Sequence, residues 1–345
     1  MRIAVTGAGG RLGSALVAAF AREAPLARAV SVEGWSRPAL DLDRPETLAA
    51  LVRARRPNLV IHAAAWTDVD GCAVEPEVAM RRNGEATAAL AGACREAGAN
   101  LLYVSTNEVF DGRRTDGRPY DEDDPVAPAN PYGRSKRAGE EAVLAGGGAE
   151  VIEPPLAGRA TGDGGTAWRT GEHGRAAAPD RAADRDGPRG WVVRTAWLYG
   201  PPGADFPAKI ITAAVRAAAG GTVLRLVADE IGSPTRASDL ASGIVALVRA
   251  RPANGIYHLV NAGHTSRADW AEAVLREAGI RVLTERVPGS TWPRASTPPP
   301  WGVLGTGHAA QLGILLRDWR AALFDEVPRY LELAAQARRA LEVTR

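Results

Sequence analysis

The chain predicts an α/β fold with a doubly wound parallel sheet and a smaller mixed α/β domain toward its C-terminus. Three observations carry this expectation. Arg2-Ile3-Ala4-Val5 is a strand-like run that passes into a glycine-rich turn and then an amphipathic stretch. The same rhythm recurs at Asn58–His62 and Leu101–Val104 with helix-like segments between, the spacing of parallel βαβ units. Beyond about residue 200 the elements become shorter and mixed, and Pro293–Pro300 is proline-rich.

Composition narrows the function classes. The 345 residues are 46% hydrophobic and 24% charged, ordinary for a globular protein with an ample core. A net charge of +2 makes no global electrostatic case for nucleic acid or an anionic membrane. Cys72 and Cys94 are too few and too far apart for a disulfide framework or a zinc site, so no metal is expected. The first strand starts at once, without a signal-peptide pattern, and no apolar run approaches a membrane span. The expectation is a cytoplasmic protein.

The first turn, Thr6 to Gly13, has glycines at 7, 10 and 13, spaced three and three rather than as G-x-G-x-x-G. Glycines also close ordinary turns. Between a strand and a helix, however, this arrangement sets backbone N–H groups and a helix N-terminus against a pyrophosphate. The second strand is expected over Ala29–Gly34, ending beside an adenosine ribose. Ser36 and Arg37 after it lean toward the 2′-phosphate of NADPH, while Glu33 nearby would favour NADH. A helix over Pro45–Arg55 leads to the strand at 58–62, which ends in Ala63-Ala64-Ala65-Trp66-Thr67. Three alanines suit either a flat ligand against the backbone or close helix–sheet contact. His62 reads as a core residue, because no second ligand sits at metal spacing. One helix is expected from about Glu77 to Gly98, and then the strand ending in Ser105-Thr106-Asn107.

The stretch Asn130-Pro131-Tyr132-Gly133-Arg134-Ser135-Lys136 reads as a helix start after a Pro- and Asp-rich loop. Tyr132 and Lys136 stand four residues apart, on one helical face. Such a pair is often only a solvated face. As an acid–base device, the ammonium would lower the phenol's pKa toward neutrality. From 146 to 190 the composition shifts to Gly, Ala, Arg, Asp and Pro with little apolar periodicity, which reads as an insertion without a core. Its Trp168 and His173 are assigned no chemistry. Trp191–Gly200 resumes a buried strand. Residues 1–200 are thus expected to form a Rossmann-like domain, and 201–345 mostly a substrate domain with some segments returning to the sheet.

Taken together, these pieces resemble the dTDP-4-dehydrorhamnose reductase family of extended short-chain dehydrogenase/reductases. The resemblance runs from about Arg2 to Arg320. It rests on TGAGGRLG at 6–13, LDLDRP at 40–45, HAAAWTDVD at 62–70, Asn83, VSTNEVFDG at 104–112, NPYGRSKRAGE at 130–140, RTAWLYG at 194–200, GSPT at 232–235 and GIYHL at 255–259. It implies NADPH- or NADH-dependent reduction of the 4-keto group of a nucleotide-linked 6-deoxy sugar, by a monomer or homodimer. Alternatives are another keto sugar, or a non-catalytic NADP-binding regulatory subunit of the same fold.

The resemblance also implies residue roles. Gly7, Gly10, Arg11, Leu12 and Gly13 would hold the pyrophosphate, and Asp41 and Leu42 would border the adenine. Ala63, Ala64, Ala65 and Thr67 would line the cofactor. Lys136 would bind the nicotinamide ribose, Tyr132 would donate the proton and Thr106 would orient the carbonyl oxygen. Asn107 and Trp197 would meet the sugar. The chain departs from the family's S-T-D-Y-V-F with Asn107 and Glu108, and from D-Q-x-G-S-P-T with Glu230. It also has Ser296-Thr297-Pro298-Pro299-Pro300 where an arginine-containing segment is usual, which bears on diphosphate recognition.

Overall fold

The computed structural model describes residues 1–23, 30–145 and 187–343. The insertion expected over 146–190, with Trp168 and His173, therefore lies outside the described residues up to 186, as does the first residue of the expected second strand. Six parallel strands form the central sheet: β1 (Arg2–Thr6), β2 (Ser31–Trp35), β3 (Leu59–His62), β4 (Asn100–Thr106), β5 (Gly190–Thr195) and β6 (Gly255–His258). Their spatial order is β2-β1-β3-β4-β5-β6, so the winding reverses between β1 and β3. Open α/β sheets bind ligands outside the carboxyl ends of the strands at such a reversal.

β1, β3, β4 and β5 are buried on both faces because helices cover both, whereas the edge strand β2 is largely exposed. Ile3, Val5, Leu59, Ile61, Leu102, Val104, Trp191 and Val193 point to one side, against Leu12, Leu16 and Phe20 of α1 (Arg11–Glu23) and the apolar face of Ala237–Ala250. Ala4, Val60, Leu101, Tyr103 and Val192 point to the other side, against α2 (Leu48–Arg55) and α3 (Ala86–Glu96). Strand α-carbons two apart share a face, so this division follows directly from the alternation. A separate cluster around Trp270, Trp319, Tyr199 and Tyr330 forms the core of the C-terminal lobe. Among the described residues, no helix is long and apolar enough to cross a membrane.

The helix expected over 77–98 differs from the structure. Pro76–Ala79 and α3 are joined by a wide π-type turn, Met80–Glu85. Such a turn admits one extra residue and re-aims its side chains, which periodicity alone does not report. Here it points Asn83 into the protein. The helix carrying Tyr132, α4 (Pro131–Leu144), starts with Asn130 as N-cap and Pro131 in the first turn. It lies so close to β4 that a methyl carbon on Gly139 would stand 2.5 Å from the Tyr103 hydroxyl.

Below the site, Arg194 and Glu140 make two hydrogen bonds of 2.8 Å, and Ser105 donates a third to Glu140 at 2.6 Å. Both charged side chains are fully buried. Removing one partner leaves the other charge in a low-dielectric interior. Arg194→Met is therefore expected to cost about 3–5 kcal/mol of unfolding free energy. Urea denaturation reads this, and an unshifted midpoint would remove the pair from the account.

Candidate active site

A buried hydrogen-bond chain crosses the sheet's carboxyl edge. The Thr6 hydroxyl accepts from the Ala64 N–H at 3.0 Å and lies 2.8 Å from His62 Nδ1. His62 Nε2 lies 3.1 Å from the Thr87 hydroxyl, which donates to the Asn83 carbonyl at 2.6 Å. With Thr87's proton committed to Asn83, Nε2 must be the donor, and Nδ1 then accepts from Thr6. Burial drives the His62 pKa down to about 3, in keeping with a neutral ring. The Asn83 amide accepts from the Trp66 N–H at 2.8 Å and donates to the Trp66 carbonyl and to Ser135 of α4. His62 is a core residue that aligns three elements rather than a ligand.

On one side of this chain lies the glycine turn. Gly7 has φ 66°, and a methyl carbon there would lie 2.9 Å from Ala64 Cα. One on Gly13 would fall 2.0 Å from the Gly7 carbonyl oxygen. The strand exit, the turn and the first turn of α1 are in backbone contact, and the first N–H groups of a helix have no acceptor within it. These residues fit a pyrophosphate. The Gly9 N–H donates to Ser36 at 3.3 Å, which brings the end of β2 to the same turn, with Arg37 exposed beside it. Ala63 and Ala64 pack on opposite faces of the sheet, both only partly buried, while Thr67 is exposed. Asp41 caps the Asp43 N–H, Leu42 packs into the core, and Asp43 grips Arg82 at 2.7 and 2.9 Å.

The Arg11 side chain also serves the fold. Its guanidinium donates to the carbonyls of Gly200 and Pro202, at 2.6 and 3.4 Å. The side chain ties the glycine turn to the loop after β5.

On the other side stand Thr106, Tyr132 and Lys136, all buried. The Thr106 hydroxyl caps the turn Asn107–Val109 by accepting from the Glu108 N–H at 3.2 Å. Lys136 donates to the Val104 carbonyl at 2.7 Å and lies 4.1 Å from the Tyr103 ring centroid. The expectation that the ammonium acidifies the phenol is corrected here. Burial and the Glu108 carboxylate push the Tyr132 pKa well up, and only the Thr106 hydroxyl works the other way. Lys136 spends its charge on the strand end instead, because the helix lies directly over β4.

Asn107 and Trp197 are both engaged with protein. The Asn107 amide donates to the Gly302 carbonyl at 3.3 Å, joining the turn to the C-terminal lobe. Trp197, at φ 42°, meets protein: Gly232 lies against its ring, Trp270 stacks on it at 5.7 Å, and the Arg267 guanidinium sits 3.7 Å from its centroid.

Sequence reasoning missed a charged cluster over this floor. Glu230 pairs with both Arg267 and Arg294, and all three act electrostatically on Glu108. Burial lowers the Arg267 pKa to about 10. Arg294 comes from a proline-rich segment held by Asp70, which accepts from the Ser296 N–H at 2.9 Å. One signal was available, since Arg267 opens a helix capped by Ser266, where a cation opposes the helix dipole. Among the described residues, no group of three His, Cys, Asp or Glu could hold a metal ion.

A glycine turn under a helix N-terminus, facing a Tyr-x-x-x-Lys helix across the sheet's carboxyl edge, defines a dinucleotide-dependent short-chain dehydrogenase/reductase. The RmlD substrate binding domain model matches residues 1–152 and 171–331. A dTDP-4-dehydrorhamnose reductase of Streptomyces griseus is 37% identical over 94% of this chain and 92% of its own length. A probable dTDP-4,6-dihydroxy-2-methyloxan-3-one 4-ketoreductase of Streptomyces antibioticus is 34% identical over 96% of each. The solved dTDP-4-dehydrorhamnose reductase of Bacillus anthracis, in complex with NADP, superposes with a TM-score of 0.73 at 27% identity, over 93% of this chain and 96% of that one. The chain belongs to the RmlD substrate binding domain family.

Burial lowers the Lys136 pKa to about 7 against a pull upward from Glu140, whereas the free side chain titrates at 10.5. Between those values the unfolded chain binds more protons, so stability rises with pH as the burial penalty is relieved. Lys136→Met is expected to be more stable than the parent below pH 7 and to lose that advantage toward about pH 10. Denaturant curves at several pH values test this, and a constant difference would contradict it.

Proposed function

We propose that this chain reduces the 4-keto group of a dTDP-4-keto-6-deoxy sugar, most directly dTDP-4-dehydrorhamnose to dTDP-L-rhamnose, with NADPH. The observation that carries this reading is the placement of Thr106, Tyr132 and Lys136 on one strand end and one helix, opposite the glycine turn. A reduced nicotinamide, when bound, supplies the hydride for the carbonyl carbon. Tyr132 gives its phenolic proton to the carbonyl oxygen, so no bare alkoxide has to form. The Thr106 hydroxyl accepts from the Glu108 N–H and donates to the Asn107 side-chain oxygen over a long 3.4 Å, a weak bond that a bound carbonyl oxygen would replace. Lys136, held by the Val104 carbonyl, would bind the nicotinamide ribose of the cofactor.

Gly7, Gly10, Leu12, Gly13 and the Arg11 N–H hold the pyrophosphate. Ser36 and the exposed Arg37 favour a 2′-phosphate, and the Bacillus anthracis relative was solved with NADP. Arg267 and Arg294 supply the cations for the sugar nucleotide's diphosphate, in place of the arginine missing before Pro299. Residues 1–200 act as the cofactor domain and 201–345 mostly as the substrate lobe, in a cytoplasmic monomer or homodimer. The relative from Streptomyces antibioticus favours a second reading, a related dTDP-linked keto sugar.

Cofactor oxidation on adding dTDP-4-dehydrorhamnose is the primary assay. Tyr132→Phe is expected to lower turnover at least ~100-fold, the scale of a general acid, with cofactor affinity retained. Full turnover in that variant would refute the mechanism. Oxidation only with another keto sugar would select the second reading.

A further inference from the structure

Arg294 reaches the site on a segment held down from the sheet's carboxyl edge. Asp70 lies in the first turn of the helix Val69–Val74, exposed to solvent. Its Oδ1 nevertheless accepts twice from one residue of the C-terminal lobe, the buried Ser296: from the N–H at 2.9 Å and from the hydroxyl. One residue on, the Thr297 carbonyl accepts from the Asn130 side-chain amide at 3.2 Å. The oxygen of that same amide caps α4 at Gly133. Farther along, Pro299 packs on Gly112, where φ is 71° and a methyl carbon would stand 2.4 Å from the proline. The Pro300 carbonyl then accepts from the Ile231 N–H at 2.8 Å. Arg294 to Pro300 is therefore a strap. Its middle is fixed to Asp70 and Asn130, and its ends are fixed to Glu230 and Ile231 in the C-terminal lobe. Pro298, Pro299 and Pro300 lock φ at three successive positions, so few anchors suffice.

Resting on the reductase reading, we propose that Asp70 is a positioning residue for substrate binding: through Ser296 it holds the strap so that Arg294 stands with Arg267, ready for the diphosphate of the sugar nucleotide. The two guanidinium groups share the Glu230 carboxylate, one on each oxygen. Two cations and one anion leave a net positive charge. Each guanidinium also has five N–H groups, more than one carboxylate oxygen can use. An arginine on a loose loop must be ordered when it binds an anion, and that ordering opposes association. With Ser296 pinned two residues away, the backbone carrying Arg294 is set before the ligand arrives. The Thr297 bond ties the same strap to the cap of the helix bearing Tyr132, so the diphosphate cations and the acid share one frame. Asp70 acts through Ser296 rather than on the ligand, because a carboxylate repels a phosphate.

Asp70→Ala removes both bonds to Ser296, whereas Asp70→Asn keeps an oxygen that can accept them. Calorimetric titration of the full chain with dTDP reads diphosphate binding without any turnover. Asp70→Ala is expected to weaken dTDP binding about fivefold, the scale of ordering one arginine side chain, and Asp70→Asn to recover most of the loss. KM for the keto sugar should rise by the same factor, while kcat and NADPH affinity stay within about twofold of the parent. A double-mutant cycle tests the route through the arginine: in an Arg294→Met background, Asp70→Ala should have no further effect on dTDP. Ser296→Ala, which removes only the hydroxyl bond, should give a smaller loss of the same kind, and it serves should Asp70→Ala fold poorly. Unchanged dTDP affinity in Asp70→Ala, or an equal loss in both backgrounds, would overturn the proposal, as would a parent chain that does not bind dTDP. Binding of dTDP without reduction of a keto sugar would instead count against the reductase reading, and the cycle would still decide the role of Asp70.

Discussion

The hydrogen-bond chain from Thr6 through His62, Thr87 and Asn83 to Ser135 connects the carboxyl ends of β1 and β3 to the catalytic helix. Each member is buried, so each donor without an acceptor would carry a desolvation penalty of roughly 1–3 kcal/mol. That cost makes the arrangement close to all-or-none. His62 must be neutral with its proton on Nε2, Thr87 must donate to Asn83, and the Asn83 amide must face Trp66 and Ser135. Tyr132 then has one position relative to the glycine turn, because the helix bearing it is held at Ser135 and capped at Asn130. The position of this helix is thereby set by groups buried within the fold.

A second constraint comes from removing charge from water. Lys136, Arg194 and Glu140 are all buried beneath the site, and each is accounted for. Arg194 and Glu140 pair with each other, and Lys136 is held by a carbonyl and an aromatic face. Above the site, Glu230 holds two guanidinium groups over the catalytic floor. Arg267 is stacked on Trp197 and Arg294 is fixed by a proline-rich strap, so neither has much rotamer freedom left to lose on binding an anion. Arg11, clamped on the loop after β5, couples the glycine turn to the start of the C-terminal lobe.

Much of this was legible in the sequence. Strand-like runs between amphipathic segments announced the parallel sheet because both faces of β1, β3, β4 and β5 are covered, leaving no polar side to mask the pattern. The glycines at 7 and 13 marked the turn because backbone contact there leaves no room for a side chain. Tyr132 and Lys136 were found because a four-residue spacing fixes a shared helical face. The π-type turn was invisible, since one extra residue hardly alters a hydrophobic period yet redirects Asn83. The direction of the Tyr132 shift was also misread. Spacing shows that a lysine is one helical turn away but not that its ammonium is drawn to Val104, nor that a carboxylate arrives from the preceding strand end.

By itself, the sequence determined the sheet, the glycine turn and the shared helical face of Tyr132 and Lys136, because each depends on local periodicity or on contacts within one βαβ unit. The tertiary structure alone decided which charges gather beyond the end of β4. Glu108, Glu230, Arg267 and Arg294 come from four separate stretches of chain and meet only when the C-terminal lobe closes over β4. Electrostatic interaction depends on distance through a desolvated interior, and separation along the chain carries no information about it.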